Sequence, residues 1–191
     1  MKQNSKHRDA KGLDEFYRKA GFSLVELLVV VAVIGIVASI ATPGVMSMVP
    51  RYRLKIAARD LYSNLQKARL LAVKENRDIS VRFDSVASPG FYYYDIDNDG
   101  VWDANEFNVR FSIYGSGVDY GNGNATLNWS GAAIAQAPVL TFSSRGTANS
   151  GSVFLDNGNA DISYAVTVQT TGGVKIRMYS GIQPFNTTQW K

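Results

Sequence analysis

The sequence lacks cysteine entirely and contains one histidine, His7, among its 191 residues. The absence of cysteine excludes disulfide frameworks, thiolate zinc sites and cysteine nucleophiles. Any chemistry that needs an imidazole would have to take place at the extreme N-terminus, where His7 lies. Neither a P-loop, a dinucleotide-binding Gly-rich motif nor the Gly-x-Ser-x-Gly motif of hydrolases is present. These absences argue against an enzyme.

The charge of the chain is modest and unevenly distributed. Twenty Lys and Arg residues against 16 Asp and Glu residues give a formal net charge of +4, which suggests an anionic partner such as nucleic acid or a membrane surface. Residues 1–21 hold six basic and three acidic side chains, and residues 51–77 hold eight and two. From Asp78 onward there are six basic and ten acidic side chains. The positive charge therefore lies in the first 77 residues, and the remainder is acidic.

A long uncharged segment runs from Leu27 to Pro50. As a helix, these residues would cover about 36 Å, enough to cross a hydrocarbon core about 30 Å thick. A plain signal anchor, or a secretory signal peptide cut after Ala41, would explain the segment most simply. Glu26 argues against both interpretations. Glu26 lies beside the apolar run, and a carboxylate inside a bilayer is costly enough to indicate a function and a partner.

The residues before the apolar run carry a recognisable motif. Gly21-Phe22-Ser23-Leu24-Val25-Glu26-Leu27-Leu28 resembles the processing signature of type IV prepilins and type II secretion pseudopilins, and Pro43 falls at the usual helix-kink position of that family. The resemblance implies cleavage after Gly21 by a prepilin peptidase/methyltransferase, N-methylation of Phe22 and assembly into a filament. It also implies that Glu26 meets the N-terminal amine of Phe22 in an adjacent subunit, and a buried carboxylate does need a cation.

The resemblance also implies a location and a set of partners. Charge counting leaves the membrane orientation open, because residues 1–21 and 51–69 each hold six basic side chains. The family pattern places the chain in the inner membrane as a single-pass protein with its C-terminal part in the periplasm. Other pilin or pseudopilin subunits and the inner-membrane assembly platform are the implied partners. The predicted parts are a leader (1–21), a transmembrane and assembly helix (22–50), a stem (51–77) and a head (78–191).

The stem has the pattern of an amphipathic helix that ends near Asn76. Its apolar residues recur every three or four positions: Leu54, Ala57, Ala58, Leu61, Leu65, Ala68, Leu71 and Ala72. We expect this stripe to pack under the head, with binding to a membrane surface as the alternative. Pro43 and Pro50 each remove a backbone donor, so we expect bends or local unwinding there.

In the head, the apolar pattern changes to a period of two, which predicts short strands separated by Gly and Asn clusters. The predicted strands are 79–83, 91–94, 109–113, 139–142, 153–155, 164–168 and 174–178. A long N-terminal helix packed on an antiparallel β-rich head is an α+β, pilin-like fold. The segments Phe142-Ser143-Ser144-Arg145-Gly146, Ser152–Leu155 and Gly172–Ile176 resemble the GspH/FimT-type branch of minor pilins and pseudopilins.

An acidic loop in the head, residues 95–106, matches the twelve-residue calcium loop of EF-hands. The predicted ligands are Asp95, Asp97, Asp99, the carbonyl of Val101, Asp103 and Glu106. Gly100 permits the sharp turn that such a loop needs, and five carboxylates within twelve residues would repel one another without a cation. A strand rather than a helix precedes the loop, so a weak structural calcium site is expected. The alternative is an acidic turn that binds no ion.

The combined features predict a structural protein, a minor pseudopilin or minor pilin, that is not an enzyme. The alternative is a minor pilin that binds DNA for uptake through a C-terminal patch of Lys175, Arg177 and Lys191. Affinity for DNA depends on several phosphate contacts, and these three residues are few, so nucleic acid is the weaker prediction.

Overall fold

One long helix, α1 (Leu24–Glu75), is followed by eight strands in this computed structural model, which describes residues 22–159, 161–181 and 186–191. The strands are β1 (Ile79–Asp84), β2 (Phe91–Asp95), β3 (Asn108–Arg110), β4 (Asp119–Tyr120), β5 (Val139–Phe142), β6 (Gly151–Asp156), β7 (Ser163–Val168) and β8 (Val174–Tyr179). Short 3-10 helices occupy Phe111–Tyr114 and Thr187–Gln189. The chain divides between Gly44 and Val45 into two compact units, and α1 contributes residues to both.

Side chains and backbone at both ends of α1 explain where it begins and ends. At the start, the hydroxyl of Ser23 accepts a hydrogen bond of 3.1 Å from the backbone N–H of Glu26. At the end, Asn76 adopts a left-handed conformation with a φ of 50°. The backbone N–H of Arg77 then reaches back to the carbonyl of Ala72 at 3.1 Å. This is the Schellman type of helix termination, and the predicted end near Asn76 is confirmed.

Helix α1 continues unbroken through Pro43 and Pro50. We expected local unwinding at these prolines because they lack a backbone N–H, but it is not seen in this stretch of the described chain. Each proline still leaves one carbonyl of the preceding turn without its helical donor.

The strands form two antiparallel four-stranded sheets. The first sheet has the order β3-β2-β1-β5, and the second has the order β4-β6-β7-β8. In the first sheet, Arg82 of β1 lies opposite Tyr93 of β2. In the second, Val166 of β7 pairs with Val153 on one side and with Ile176 on the other.

The apolar stripe of the stem forms part of the main hydrophobic core. Leu54, Leu61 and Leu65 are fully buried, as are the four alanines of the stripe, and Leu71 packs against the core while half-buried. The same cluster contains Val81 and Tyr92 of the first sheet and Val153 and Val166 of the second. The stripe therefore packs under the head as predicted, and the membrane-surface alternative is wrong. The α+β fold class is confirmed.

One strand prediction differs from the structure, and one short strand was missed. Residues 109–113 form a strand only as far as Arg110, and Phe111–Tyr114 turn into a 3-10 helix. Gly115, with a φ of 93°, closes that turn through a 3.1 Å hydrogen bond to the carbonyl of Ser112. Strand β4 was not predicted, because two residues are too few to show a period.

Candidate functional site

The surface of α1 from Leu24 to Val49 is almost wholly apolar and exposed. Its large hydrophobic side chains, such as Leu24, Ile36 and Met48, expose between 37% and 80% of their surface. This helix is long and apolar enough to cross a membrane. Such a surface has to be covered by lipid or by other helices, because an apolar patch of this extent is unfavourable in water.

The predicted processing and assembly residues lie at the start of this surface. Phe22 is 80% exposed, and Glu26 lies, also exposed, in the first turn of α1. Ser23 and Glu26 have the spacing of a capping box, and the Ser23 half of that box is formed. The partial positive charge of the helix N-terminus also favours a carboxylate there. Gly21 and the rest of the predicted leader lie outside the described residues.

The acidic loop connects β2 to β3, and the structure brings three of its carboxylates together. One oxygen of each of Asp95, Asp97 and Asp99 lies within 4.8 Å of the other two. Asp95, the last residue of β2, is fully buried, whereas Asp97 and Asp99 are exposed. Asn98 and Gly100 take left-handed φ values of 63° and 83°, which curl the loop so that the alternate carboxylates converge.

Arg82 of β1 contacts this group of carboxylates, which the sequence alone did not indicate. Its Nε forms an ion pair with Oδ2 of Asp95, and this hydrogen bond raises the pKa of Arg82 above its ordinary value, against the opposing effect of burial. The backbone N–H of Gly100 donates to the same Oδ2 at 3.2 Å. Burial also raises the pKa of the neighbouring Tyr93, whose hydroxyl donates to the carbonyl of Gly100 at 2.9 Å.

The remaining predicted ligands lie in the same loop but outside this group of three. Glu106 is 9% exposed, and its two oxygens accept hydrogen bonds from the N–H groups of Ile96 at 2.7 Å and Asp103 at 3.2 Å. Asp103 and Val101 are exposed. A cavity of about 260 Å³ opens between Ile96, Asp97, Asp103, Asn105 and Glu106. Glu106 thus holds the two ends of the loop together through its backbone contacts.

The three basic residues proposed for DNA lie near one another at the edge of the second sheet. Lys175 and Arg177 belong to β8, the edge strand. Lys191 exchanges two backbone hydrogen bonds, of 2.8 and 2.9 Å, with Met178 of the same strand. The guanidinium of Arg177 lies 4.1 Å from the ring centroid of Trp129 and is partly engaged there.

Two family models match the chain. One, described as Type II transport protein GspH, matches residues 57–172, and the other, described as Prokaryotic N-terminal methylation motif, matches residues 17–42. The first match runs from the stem to the turn between β7 and β8, and the second includes the start of α1. None of the curated proteins matches this chain in sequence.

Solved structures of two minor pilin-type proteins resemble the chain. The type IV minor pilin FimU of Pseudomonas aeruginosa PAO1 gives a TM-score of 0.50 at 18% identity, over 74% of this chain and 94% of FimU. A second crystal form of FimU gives 0.47 at 17% identity, over 72% and 97%. The minor pseudopilin EpsH from the type 2 secretion system of Vibrio cholerae gives 0.42 at 20% identity, over 65% and 95%. The likeness to the first FimU structure shows a shared fold.

Proposed function

The chain belongs to the GspH family of type II transport proteins, and we propose that it is a minor pilin or pseudopilin, cleaved after Gly21, methylated at Phe22 and built into a filament. Proteins of this family are structural subunits rather than enzymes. The filament in this proposal is a type II secretion pseudopilus or a type IV pilus.

The observation that carries the proposal is the exposed apolar surface of α1, most of which lies within the matched methylation motif. Before assembly, a bilayer can cover this surface, and the mean rise of a helix makes the segment long enough to span it. After assembly, the same surface can be covered by equivalent helices of neighbouring subunits. One segment would therefore serve as membrane anchor and as assembly surface.

We assign to Glu26 a contact between neighbouring subunits of the filament. Cleavage after Gly21 creates a new α-amino group on Phe22, four residues before the Glu26 carboxylate. In a bundle of such helices, a carboxylate in apolar surroundings needs a cation, and removal of one partner of a buried pair is strongly destabilising. An ion pair between Glu26 and the Phe22 amine of an adjacent subunit would satisfy both groups and fix the axial register of the filament.

The proposal places the chain in the inner membrane with the head in the periplasm. The leader would stay on the cytoplasmic side, where the prepilin peptidase/methyltransferase acts. The inner-membrane assembly platform would then extract the mature subunit. Cleavage would also remove six of the basic side chains, so the mature N-terminus would no longer carry a large positive charge.

A DNA-binding minor pilin is the weaker alternative. The pairing of Lys191 with β8 does gather Lys175, Arg177 and Lys191 at one sheet edge. Three cations neutralise few phosphates, and the head from Asp78 onward has four more acidic than basic side chains. We therefore assign the structural role.

Processing can be tested with a substitution at the cleavage position. Gly21→Val adds a β-branched side chain to the residue whose carbonyl would be attacked, and we expect the leader to be retained. The matched control is Gly35→Ala, because a Cβ at Gly35 meets nothing within 4 Å. Mass spectrometry of membrane-extracted protein from cells that contain the peptidase is the measurement.

The unaltered chain and Gly35→Ala should both yield a mature protein that begins with N-methylated Phe22. An intact leader in the unaltered protein, or a cut after Ala41, would contradict the proposal. A mature protein that begins with unmethylated Phe22 would support cleavage after Gly21 but contradict the proposed methylation.

A further inference from the structure

Asp95 carries a carboxylate oxygen that the protein does not satisfy. The side chain is fully buried, and its Oδ2 is used by Arg82 and by the backbone N–H of Gly100. Its Oδ1 is also buried, yet it has no hydrogen-bond partner in the described part of the chain. Such an oxygen costs free energy unless a donor or a cation meets it. Because Asp95 belongs to the group of three converging carboxylates, this cost points to a ligand at that group.

The spacing and chemistry of the group fit calcium. Ca²⁺ binds oxygen ligands at 2.3–2.6 Å, so two ligand atoms on opposite sides of the ion are about 4.6–5.2 Å apart. One carboxylate oxygen from each of Asp95, Asp97 and Asp99 lies within 4.8 Å of the other two, a spacing compatible with ligands of a single calcium ion. Neither nitrogen nor sulfur ligands take part, as expected for a hard cation.

The neighbouring cation, Arg82, does not neutralise the group. Its ion pair engages Oδ2 of Asp95 and leaves Oδ1 without a partner. One oxygen each of Asp97 and Asp99 accepts a hydrogen bond within the loop, from the N–H of Asp99 at 3.3 Å and of Val101 at 2.7 Å. These turn contacts orient the two carboxylates without supplying positive charge. Among the described residues, only the Asp95 carboxylate of the three has an ion pair, the one with Arg82.

We propose that this loop is a calcium site in which Asp95, Asp97 and Asp99 supply the first three ligand oxygens. The carbonyl of Val101, Asp103 and Glu106 would complete the coordination, as their positions in the loop require. Arg82 acts as a positioning residue, because its contact with Oδ2 fixes the buried carboxylate and leaves Oδ1 for the ion.

An ion in this loop would link β2, β3 and the end of α1. The loop begins at the last residue of β2 and leads into β3. Arg77, just after the end of α1, donates a hydrogen bond of 3.1 Å to the carbonyl of Ile96 in the same loop. Calcium would thus stabilise the edge of the first sheet and its link to the end of the stem.

The test uses the full chain in detergent, stripped of metal with EDTA and then titrated with CaCl₂. We expect a Kd for calcium of about 10⁻⁴–10⁻³ M, the range of the weak calcium sites in extracellular protein modules. At a calcium concentration tenfold above Kd, the head should show an increase in Tm of about 3–8 °C. Terbium binding gives a second measurement, since Trp102 lies within the loop and can sensitise terbium luminescence.

Asp97→Asn and Asp99→Asn are the informative variants, because both side chains are exposed and their loss should not prevent folding. Each should reduce the calcium-dependent increase in Tm to under 1 °C and weaken terbium binding at least tenfold. Asp78→Asn is the matched control, since it removes an exposed carboxylate outside the loop and should keep the full response.

Three results would overturn the proposal. One is the absence of a saturable change in Tm or terbium signal up to 10 mM metal. Another is an undiminished response in both Asp97→Asn and Asp99→Asn, which would place the ion elsewhere. An equal response to MgCl₂ at the same concentrations would reject a calcium site in favour of general screening of the acidic head.

Discussion

At the scale of single residues, a buried hydrogen-bond network ties the stem to the first sheet. Asn64 of α1 donates from Nδ2 to the hydroxyl of Tyr92 at 2.7 Å, and its backbone carbonyl accepts from the hydroxyl of Tyr94 at 2.6 Å. Burial raises the pKa of Tyr92 above its ordinary value, so its hydroxyl remains a neutral hydrogen-bonding group even in alkaline solution. This network connects residues about 30 positions apart in a fixed geometry.

Tyr92→Phe should therefore destabilise the head by about 1–3 kcal/mol, because it leaves a buried amide of Asn64 without its acceptor. Urea denaturation followed by circular dichroism measures the change. Tyr62→Phe is the matched control. The Tyr62 hydroxyl accepts only a long, 3.4 Å hydrogen bond from Gln66 in a half-buried position, so its loss should cost under about 0.5 kcal/mol. Equal effects of the two substitutions would contradict this interpretation.

Individual residues differ in how far sequence alone could assign them. Leu61 and Leu65 were predictable as core residues because a helical period marks them locally. The convergence of Asp95, Asp97 and Asp99 was predictable because the loop spacing determines it. Arg82 was not, since its contact with Asp95 depends on the pairing of β1 with β2 and on side-chain direction. The sequence shows only that Arg82 is a charged residue within a predicted strand, and this does not identify Asp95 as its partner.

At the scale of elements, the stem helix is stabilised chiefly by its buried stripe. Leu61 is fully buried in the main core, whereas Leu70, on the same helix, is 68% exposed. Leu61→Ala should destabilise the head by about 2–5 kcal/mol through lost burial and the cavity left behind. Leu70→Ala makes the same chemical change on the outer face and should alter the free energy of unfolding by less than about 0.5 kcal/mol. Comparable losses in the two variants, measured by urea denaturation, would show that helix propensity rather than packing dominates.

The strand predictions were correct where apolar and polar residues alternate over several positions. They failed where tertiary contacts determine the backbone conformation. In β1, β7 and β8 the predicted and observed bounds agree within one residue. After Arg110, the chain leaves the sheet because Phe111 turns into the core and stacks edge-on with Tyr120, at 4.8 Å between ring centroids. Ile113 is consequently 68% exposed, contrary to the alternation that suggested a strand. Aromatic packing of this kind joins distant segments and leaves no local signal.

At the scale of the whole molecule, charge and hydrophobicity are segregated along the chain. Residues 22–50 contain one charged side chain, Glu26, whereas residues 51–77 have a net charge of +6 and the head from Asp78 has −4. Anionic lipid head groups attract such basic segments next to a membrane span. The overall charge of +4 thus reflects the basic residues 1–21 and 51–77, and a nucleic-acid-binding head is not needed to explain it.

The same segregation predicts that the second compact unit folds without the apolar segment. A fragment of residues 51–191 keeps the whole buried stripe from Leu54 onward and removes the exposed apolar surface that precedes it. It should be soluble without detergent and unfold cooperatively, as measured by thermal circular dichroism and gel filtration. A fragment of residues 66–191 lacks Leu54, Leu61 and Leu65, and loss of these core side chains at about 2–5 kcal/mol each exceeds the stability of an ordinary domain. We therefore expect the shorter fragment to be unfolded or aggregated; a well-folded 66–191 fragment would show that the sheets do not need the stem.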